Sequence, residues 1–266
     1  DFLQKNIGPL NLDVFEYCSL YDSIRIKGNN TSQYGLIVWN IKEGAFMKEF
    51  DYVVVGGGAG GCVVASRLSE DPSVSVCLLE AGGGGTDVLI RAPVGIAVIV
   101  PNNINDTNWR FETVPQAGFN GRRGFQPRGK ALGGSTAINA MVYSRGHYSD
   151  YDGWAAAGNP GWSYAEVLPY FKKSENNENF SDTSYHGHGG PLNVMQVKDP
   201  SKMCKVFMDA CESVGIPRNA DYNGAQHHGC MLFQGMVKGG ERCSASRAFI
   251  EPNLSRPNLT VITKAH

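Results

Sequence analysis

Residues 51–81, DYVVVGGGAGGCVVASRLSEDPSVSVCLLEA, set out an apolar run, a glycine turn, a helix-compatible stretch and a second apolar run that ends on Glu80. That order is what a βαβ unit built to hold an ADP group requires. Gly56 allows the tight turn, Gly58 lets the backbone approach a pyrophosphate, and Gly61 lets the helix pack close to the strand, so that the helix N-terminal amides face the phosphates. Glu80, with Ala81 beside it, stands 19 residues beyond Gly61, where an acceptor for ribose hydroxyls is needed.

A bare GxGxxG says little in a chain with 33 glycines among 266 residues. The strand before it, the helix after it and the carboxylate beyond supply the missing context. An acidic rather than basic residue at position 80 disfavours a 2′-phosphate and hence NADP. NAD and FAD both satisfy this much.

A second cluster, PRGKALGGSTAINAMVY at residues 127–143, has paired Gly133 and Gly134 followed by Ser135, Thr136 and Asn139. Backbone amides and small polar groups meet a cofactor in such a place. The plainer reading is a loop running into a helix, with Ser135 or Thr136 as N-cap. Taken with the first motif, the stretch from Gly129 to Asp152 resembles the first signature of the glucose-methanol-choline (GMC) oxidoreductases, which are FAD flavoproteins. The pieces NWRFETVPQ (108–116), NGRRGFQPRGKALGGS (120–135), YSRGHYSDYDGWAAAGNPGWSYAEVLPYFKKSENNE (143–178), YHGHGGPLNV (185–194), DYNGAQHHG (221–229), ERCSASRAFIEP (241–252) and RPNLTVIT (256–263) resemble the choline-dehydrogenase-like branch in the usual order. The resemblance covers nearly everything from Met47 to His266 and is specific for the family, not for a substrate.

The resemblance implies an α/β fold: an FAD-binding Rossmann-like domain with part of an interleaved substrate domain. Gly56, Gly58, Ala59, Gly60 and Gly61 would hold the pyrophosphate and Glu80 with Ala81 the adenosine ribose. Arg128, Gly133, Gly134, Ser135, Asn139, Ala140 and Val142 would lie along the pyrophosphate and flavin. Members with covalent FAD carry a histidine just before this asparagine. Here the residue is Ile138, so the flavin is expected to be non-covalent. The implied chemistry is hydride transfer from a primary alcohol, choline-like or aliphatic, to flavin N5, assisted by a C-terminal histidine. The electron acceptor (quinone, dye or oxygen) stays open. Non-oxidative members of the hydroxynitrile lyase or fatty-acid photodecarboxylase type are the alternative, as is an FAD-binding fragment without activity.

The family's catalytic residues lie several hundred residues after the glycine motif, and this chain ends at His266. The expectation is therefore an N-terminal piece, cut in its last strand, with no catalytic residue of its own. Residues 1–46 match no part of the family and are read as an extension or as translated upstream sequence, with no signal or mitochondrial leader pattern. Residues 47–151 are assigned to the first part of the FAD domain, 152–240 to a helical segment including part of the substrate domain, and 241–266 to a return to the FAD domain. Strands are expected near 52–55 and 75–79.

A net charge of −1 and no basic stripe speak against nucleic acid. The longest apolar stretch, Val94–Val100, is far short of a membrane span. Seven cysteines without metal-ligand spacing, an odd count and no signal peptide favour a reducing cytoplasm, with peripheral attachment to the inner membrane left open. Cys62 and Cys77 read as buried small hydrophobes. His186-x-His188 and His227-His228 sit in glycine-rich loops, and no metal is expected.

Overall fold

A computed structural model describes residues 24–26, 48–102 and 104–266. The chain divides into two compact units, residues 1–53 and 54–266. In the first, β1 (Ile24–Ile26) pairs in parallel with β2 (Lys48–Phe50), Ile24 opposite Lys48. Apart from β1, the reading of residues 1–46 lies outside the described residues.

A three-stranded sheet of order β13-β4-β3 is formed by β3 (Tyr52–Val55, across the division at residue 53), β4 (Val76–Glu80) and β13 (Leu259–Thr263), with helix α1 (Ala59–Leu68) between the first two in sequence. In β4, Val76, Cys77 and Leu78 are fully buried. A strand buried on both faces calls for a continuous apolar run, and VCLL is one. The β13 pairing is parallel, from Leu259 opposite Val76 to Thr263 opposite Glu80. The ladder runs as far as Thr263, and Lys264 then turns to φ 60°. Its amide then donates to Gly82 O at 2.8 Å and that of Ala265 to Glu80 O at 3.0 Å, so the end of the chain folds over the end of β4.

Two glycines inside α1 cost about 2 kcal/mol of helix propensity relative to alanine. Packing offsets that cost: Cys62, Ala65 and Ser66 turn inward, and the first two share a core with Val76, Leu78, Leu132, Ala248, Phe249, Ile250 and Leu259. Each aliphatic side chain so buried contributes roughly 2 kcal/mol. The segment that supplies Ala248 to Ile250 is a single π-helical turn, Ser246–Ile250. It returns to the first βαβ core after an excursion of more than a hundred residues.

That excursion carries α2 (Val88–Arg91), α3 (Ile96–Asn102), the hairpin of β5 (Phe111–Glu112) and β6 (Phe125–Gln126), β7 (Val142–Tyr143), α4 (Tyr148–Ala156), α5 (Tyr164–Ser174), β8 (Glu175–Asn177), β9 (Leu192–Gln196), α6 (Lys202–Ser213), β10 (Gln234–Gly235), β11 (Val237–Lys238) and β12 (Glu241–Arg242). Strands β7, β10, β9 and β8 form a second sheet in that order. Helix α5 starts at Ser163, whose amide and hydroxyl both bond Glu166, the reciprocal arrangement that S-x-x-E favours. No described helix is long and apolar enough to cross a membrane.

Candidate functional site

The glycine loop after β3 has an outer and an inner face. Gly56, Ala59 and Gly60 are exposed, whereas Gly57 between them is buried. Gly56 takes φ 94° and donates its amide to Leu79 O at 2.8 Å, which turns the chain from β3 into α1. Gly61 has to be glycine for steric reasons: a Cβ there would lie 1.9 Å from Gly56 O. Gly58 precedes the first turn of α1, and an added Cβ at Gly56, Gly58 or Gly60 would meet nothing within 4 Å. The outer face is thus open and lined by the amides of a helix N-terminus.

The inner face is held by Glu80. This carboxylate is buried, accepts the Gly57 amide at 2.8 Å through Oε2 and the Gly82 amide at 2.7 Å through Oε1. Gly57 is the residue that the fingerprint leaves free, and the sequence reading passes over it. A Cβ on it would approach Leu132 Cδ1 at 2.7 Å and Glu80 Oε2 at 3.1 Å. Its carbonyl accepts the Gly133 amide at 2.7 Å and the Cys62 thiol at 3.2 Å. Burial pushes that thiol up to about 12, so Cys62 stays a protonated packing residue. Cys77 is buried within the sheet.

The second motif docks here. Gly133 takes φ 98° and Gly134 φ 54°, and a Cβ on Gly134 would stand 2.7 Å from Gly58 Cα. Two glycine turns far apart in sequence therefore touch backbone to backbone. Residues Gly134–Ala137 form a 3-10 turn capped by Gly133, not by Ser135 or Thr136. Thr136 instead donates its hydroxyl to Gly133 O at 2.5 Å and accepts the Ala245 amide at 2.9 Å, which ties the turn to the returning segment. Ser135 accepts the Gly129 amide at 3.1 Å. Ile138 is 3% exposed and packs with Ile90, Ile99, Ala131 and Ala137.

Asn139 is half-buried. Its Oδ1 accepts the Met141 amide at 2.9 Å and Arg242 Nη1 at 3.0 Å, shaping the bend at which Met141 takes φ 61°. Arg242, which the sequence reading does not single out, is visible there only as part of ERCSASRAFIEP. Arg128 is exposed and bonds Pro127 O at 2.7 Å, and Ala140 and Val142 are exposed too. Among the described residues no hydrogen bond links these three to the glycine loop. The expected site residues thus separate into a contacting group (Gly56, Gly58, Ala59, Gly60, Gly61, Glu80, Gly133, Gly134), an adjoining group (Ser135, Asn139 and the half-buried Ala81) and three surface positions.

The histidine motifs resolve differently. His186 is buried between Glu175 and Asp221, its Nδ1 3.1 Å from Glu175 Oε1 and its Nε2 2.7 Å from Asp221 Oδ2. Burial alone would lower its pKa, but the two carboxylates outweigh that and push it up to about 9. Glu175 also takes Arg145 Nη2 at 2.7 Å, Asn177 Nδ2 at 2.8 Å and the Gly187 amide at 2.9 Å. These partners overcome its own burial and hold it below the usual carboxylate range. The cluster is an ionic network closed among its own members. Beside it a cavity of about 230 Å³ is lined by His147, Tyr148, Tyr164, Tyr185, Tyr222 and His227 among others. Among the described residues no group of three or more His, Cys, Asp or Glu is placed to hold a metal ion.

Comparison with known proteins accords with this geometry. A family model described as GMC oxidoreductase matches residues 50–266. The chain is 47% identical over 217 residues to alcohol dehydrogenase [acceptor] of Pseudomonas putida, an alignment covering 82% of this chain and 39% of that protein. It is 42% identical over 214 residues to oxygen-dependent choline dehydrogenase of Photobacterium profundum, covering 80% of this chain and 37% of the relative. Among solved structures, pyridoxine 4-oxidase from Mesorbium loti superposes with a TM-score of 0.76 at 35% identity, over 81% of this chain and 42% of that one. An FAD-dependent oxidoreductase from Chaetomium thermophilum gives 0.73 at 32% identity, over 80% and 38%. The chain spans well under half the length of these relatives.

Proposed function

The chain belongs to the GMC oxidoreductase family, and from that premise we propose that it is the FAD-binding part of an enzyme that oxidises a primary alcohol by hydride transfer. The observation that carries this reading is the backbone contact of Gly58 with Gly134, which joins an open helix N-terminus to a second turn rich in small polar residues. The residues fit the cofactor: the outer faces of Gly56, Gly58 and Gly60 have room where side chains would stand. The amides at the start of α1 would take the pyrophosphate, their partial positive charge facing its negative charge. Glu80 has two further lone pairs beyond the pair used by Gly57 and Gly82, and these would accept ribose hydroxyls.

Gly133, Gly134, Ser135 and Asn139 would line the flavin half, with Ala81, Arg128, Ala140 and Val142 at its margins. Bound FAD supplies the hydride acceptor. This chain's residues bind it, orient it and neutralise its phosphates. No residue of the chain is assigned as the base that takes the alcohol proton. The electron acceptor is a quinone, dye or oxygen.

FAD is held without a covalent bond in this reading, because Ile138 offers no nucleophile and lies in an apolar cluster. Acid precipitation of the flavin-loaded protein tests this directly: the flavin is expected in the supernatant, and yellow colour retained in the pellet would refute it. Gly58→Ala tests the site itself. The added methyl has open space in the protein, so the variant folds normally yet binds FAD at least tenfold more weakly. Unchanged flavin affinity would remove the α1 N-terminus from the cofactor site.

A further inference from the structure

Arg242 stands first among the large side chains withdrawn from solvent, at 1% exposure. Its Nε donates to Ile90 O at 2.9 Å, and its Nη1 to Asn139 O at 2.6 Å, Asn139 Oδ1 at 3.0 Å and Thr136 O at 3.4 Å. Its Nη2 is buried with no hydrogen-bond partner. No carboxylate of the described residues pairs with it. The nearby acids are committed elsewhere: Glu241 to Arg247 at 2.9 Å, with Arg91 at 3.8 Å, and Glu251 to Arg91 at 2.6 Å. Burial lowers the guanidinium pKa to about 10, which still leaves it charged at neutral pH.

A buried charge without a counter-charge is costly. A neutral donor would satisfy one or two of the same carbonyls at lower cost. What a neutral donor would not supply is a fixed positive charge behind the Thr136–Asn139 segment, in a low-dielectric setting where charges act strongly. Resting on the flavin reading above, we propose that Arg242 is the positioning residue of the flavin half of the site and the source of a positive charge that favours the reduced, anionic flavin over the oxidised, neutral one. Arg242 touches no substrate in this role. It acts through Thr136 and Asn139, whose carbonyls it holds, and through its field.

The test compares wild type, Arg242→Lys and Arg242→Gln in the full-length protein loaded with FAD, reading flavin affinity, visible spectrum, midpoint potential and thermal unfolding. Lysine keeps the charge but not the fork, so affinity falls severalfold while the potential stays near that of the wild type. Glutamine keeps a donor but not the charge, so the potential shifts to a clearly more negative value. If Arg242→Gln does not fold, Arg242→Lys answers the same question, since raising the pH discharges a buried lysine in an intact protein. Its potential should then fall with pH more steeply than that of the wild type. A glutamine variant with the wild-type potential, or parallel pH slopes, overturns the electrostatic role. Unchanged affinity and spectrum in both variants overturn the positioning role. Wild-type protein that binds no FAD refutes the functional reading and this inference with it, whereas wild type that binds FAD beside indifferent variants refutes this inference alone.

Discussion

The Glu80 carboxylate accepts the Gly57 amide at 2.8 Å across 23 residues of sequence, so the acid expected to meet a ribose also fastens the loop expected to meet a pyrophosphate. Its other oxygen takes the Gly82 amide at 2.7 Å. Glu80→Gln exchanges one acceptor oxygen for an NH2 facing a backbone N–H. One buried amide then goes unpaired, at a cost of about 1–3 kcal/mol. The expected result is a melting temperature several degrees lower, together with at least tenfold weaker FAD binding. Weaker binding with unaltered melting would show that Glu80 acts on the ligand alone and that its two backbone bonds matter little.

Gly61 and Gly58 belong to one fingerprint but fail in different ways. A methyl group on Gly61 would sit 1.9 Å from Gly56 O, a backbone atom that has no rotamer to escape into. The helix has to move away from the strand, and the shared core of Cys62, Ala65 and Leu78 opens with it. Gly61→Ala is expected to destabilise the fold by about 3 kcal/mol or more, as overpacking against backbone does. Denaturant unfolding beside Gly58→Ala is the measurement. Equal stability of the two variants would mean that the close approach is not what glycine provides at position 61.

Much of this is legible in the sequence because its causes are local. An apolar run, a glycine turn and a helix pattern force β3, α1 and β4 to their observed places, and the paired glycines at 133 and 134 announce a turn. The contact between Gly58 and Gly134 is not legible, since no periodicity reports which loops meet. Gly57 is hidden in a position that the fingerprint leaves unspecified. Arg242 carries no local signal at all: its partners, Ile90, Thr136 and Asn139, lie 103 to 152 residues away. His186 shows in the sequence only as part of His186-x-His188 in a glycine-rich loop, because the acids that enclose it come from β8 and from a loop 35 residues on.

That enclosure has a pH signature. With both ring nitrogens donating, to Glu175 and to Asp221, His186 is a buried imidazolium whose pKa is about 9 in the fold against 6.5 unfolded. A group whose pKa is raised by folding adds stability that is fully present below pH about 6.5 and is lost as the pH climbs through about 9. At most this is worth on the order of 3 kcal/mol. Asp221 and Glu175 have the opposite sign: both are held below their ordinary values, by His186 above all once burial is overcome, so their contribution is present at neutral pH and lost on acidification. The network is therefore strongest between these limits. His186→Gln leaves two buried carboxylates without their shared cation, although Arg145 still pairs with Glu175 at 2.7 Å. Stability at pH 7 should fall by several degrees of melting temperature, and the decline expected of the wild type between pH 7 and 9 should flatten in the variant. Melting curves with the same slope in both proteins over that range would show that His186 is neutral where it lies, and the ionic reading of the cluster would have to be given up.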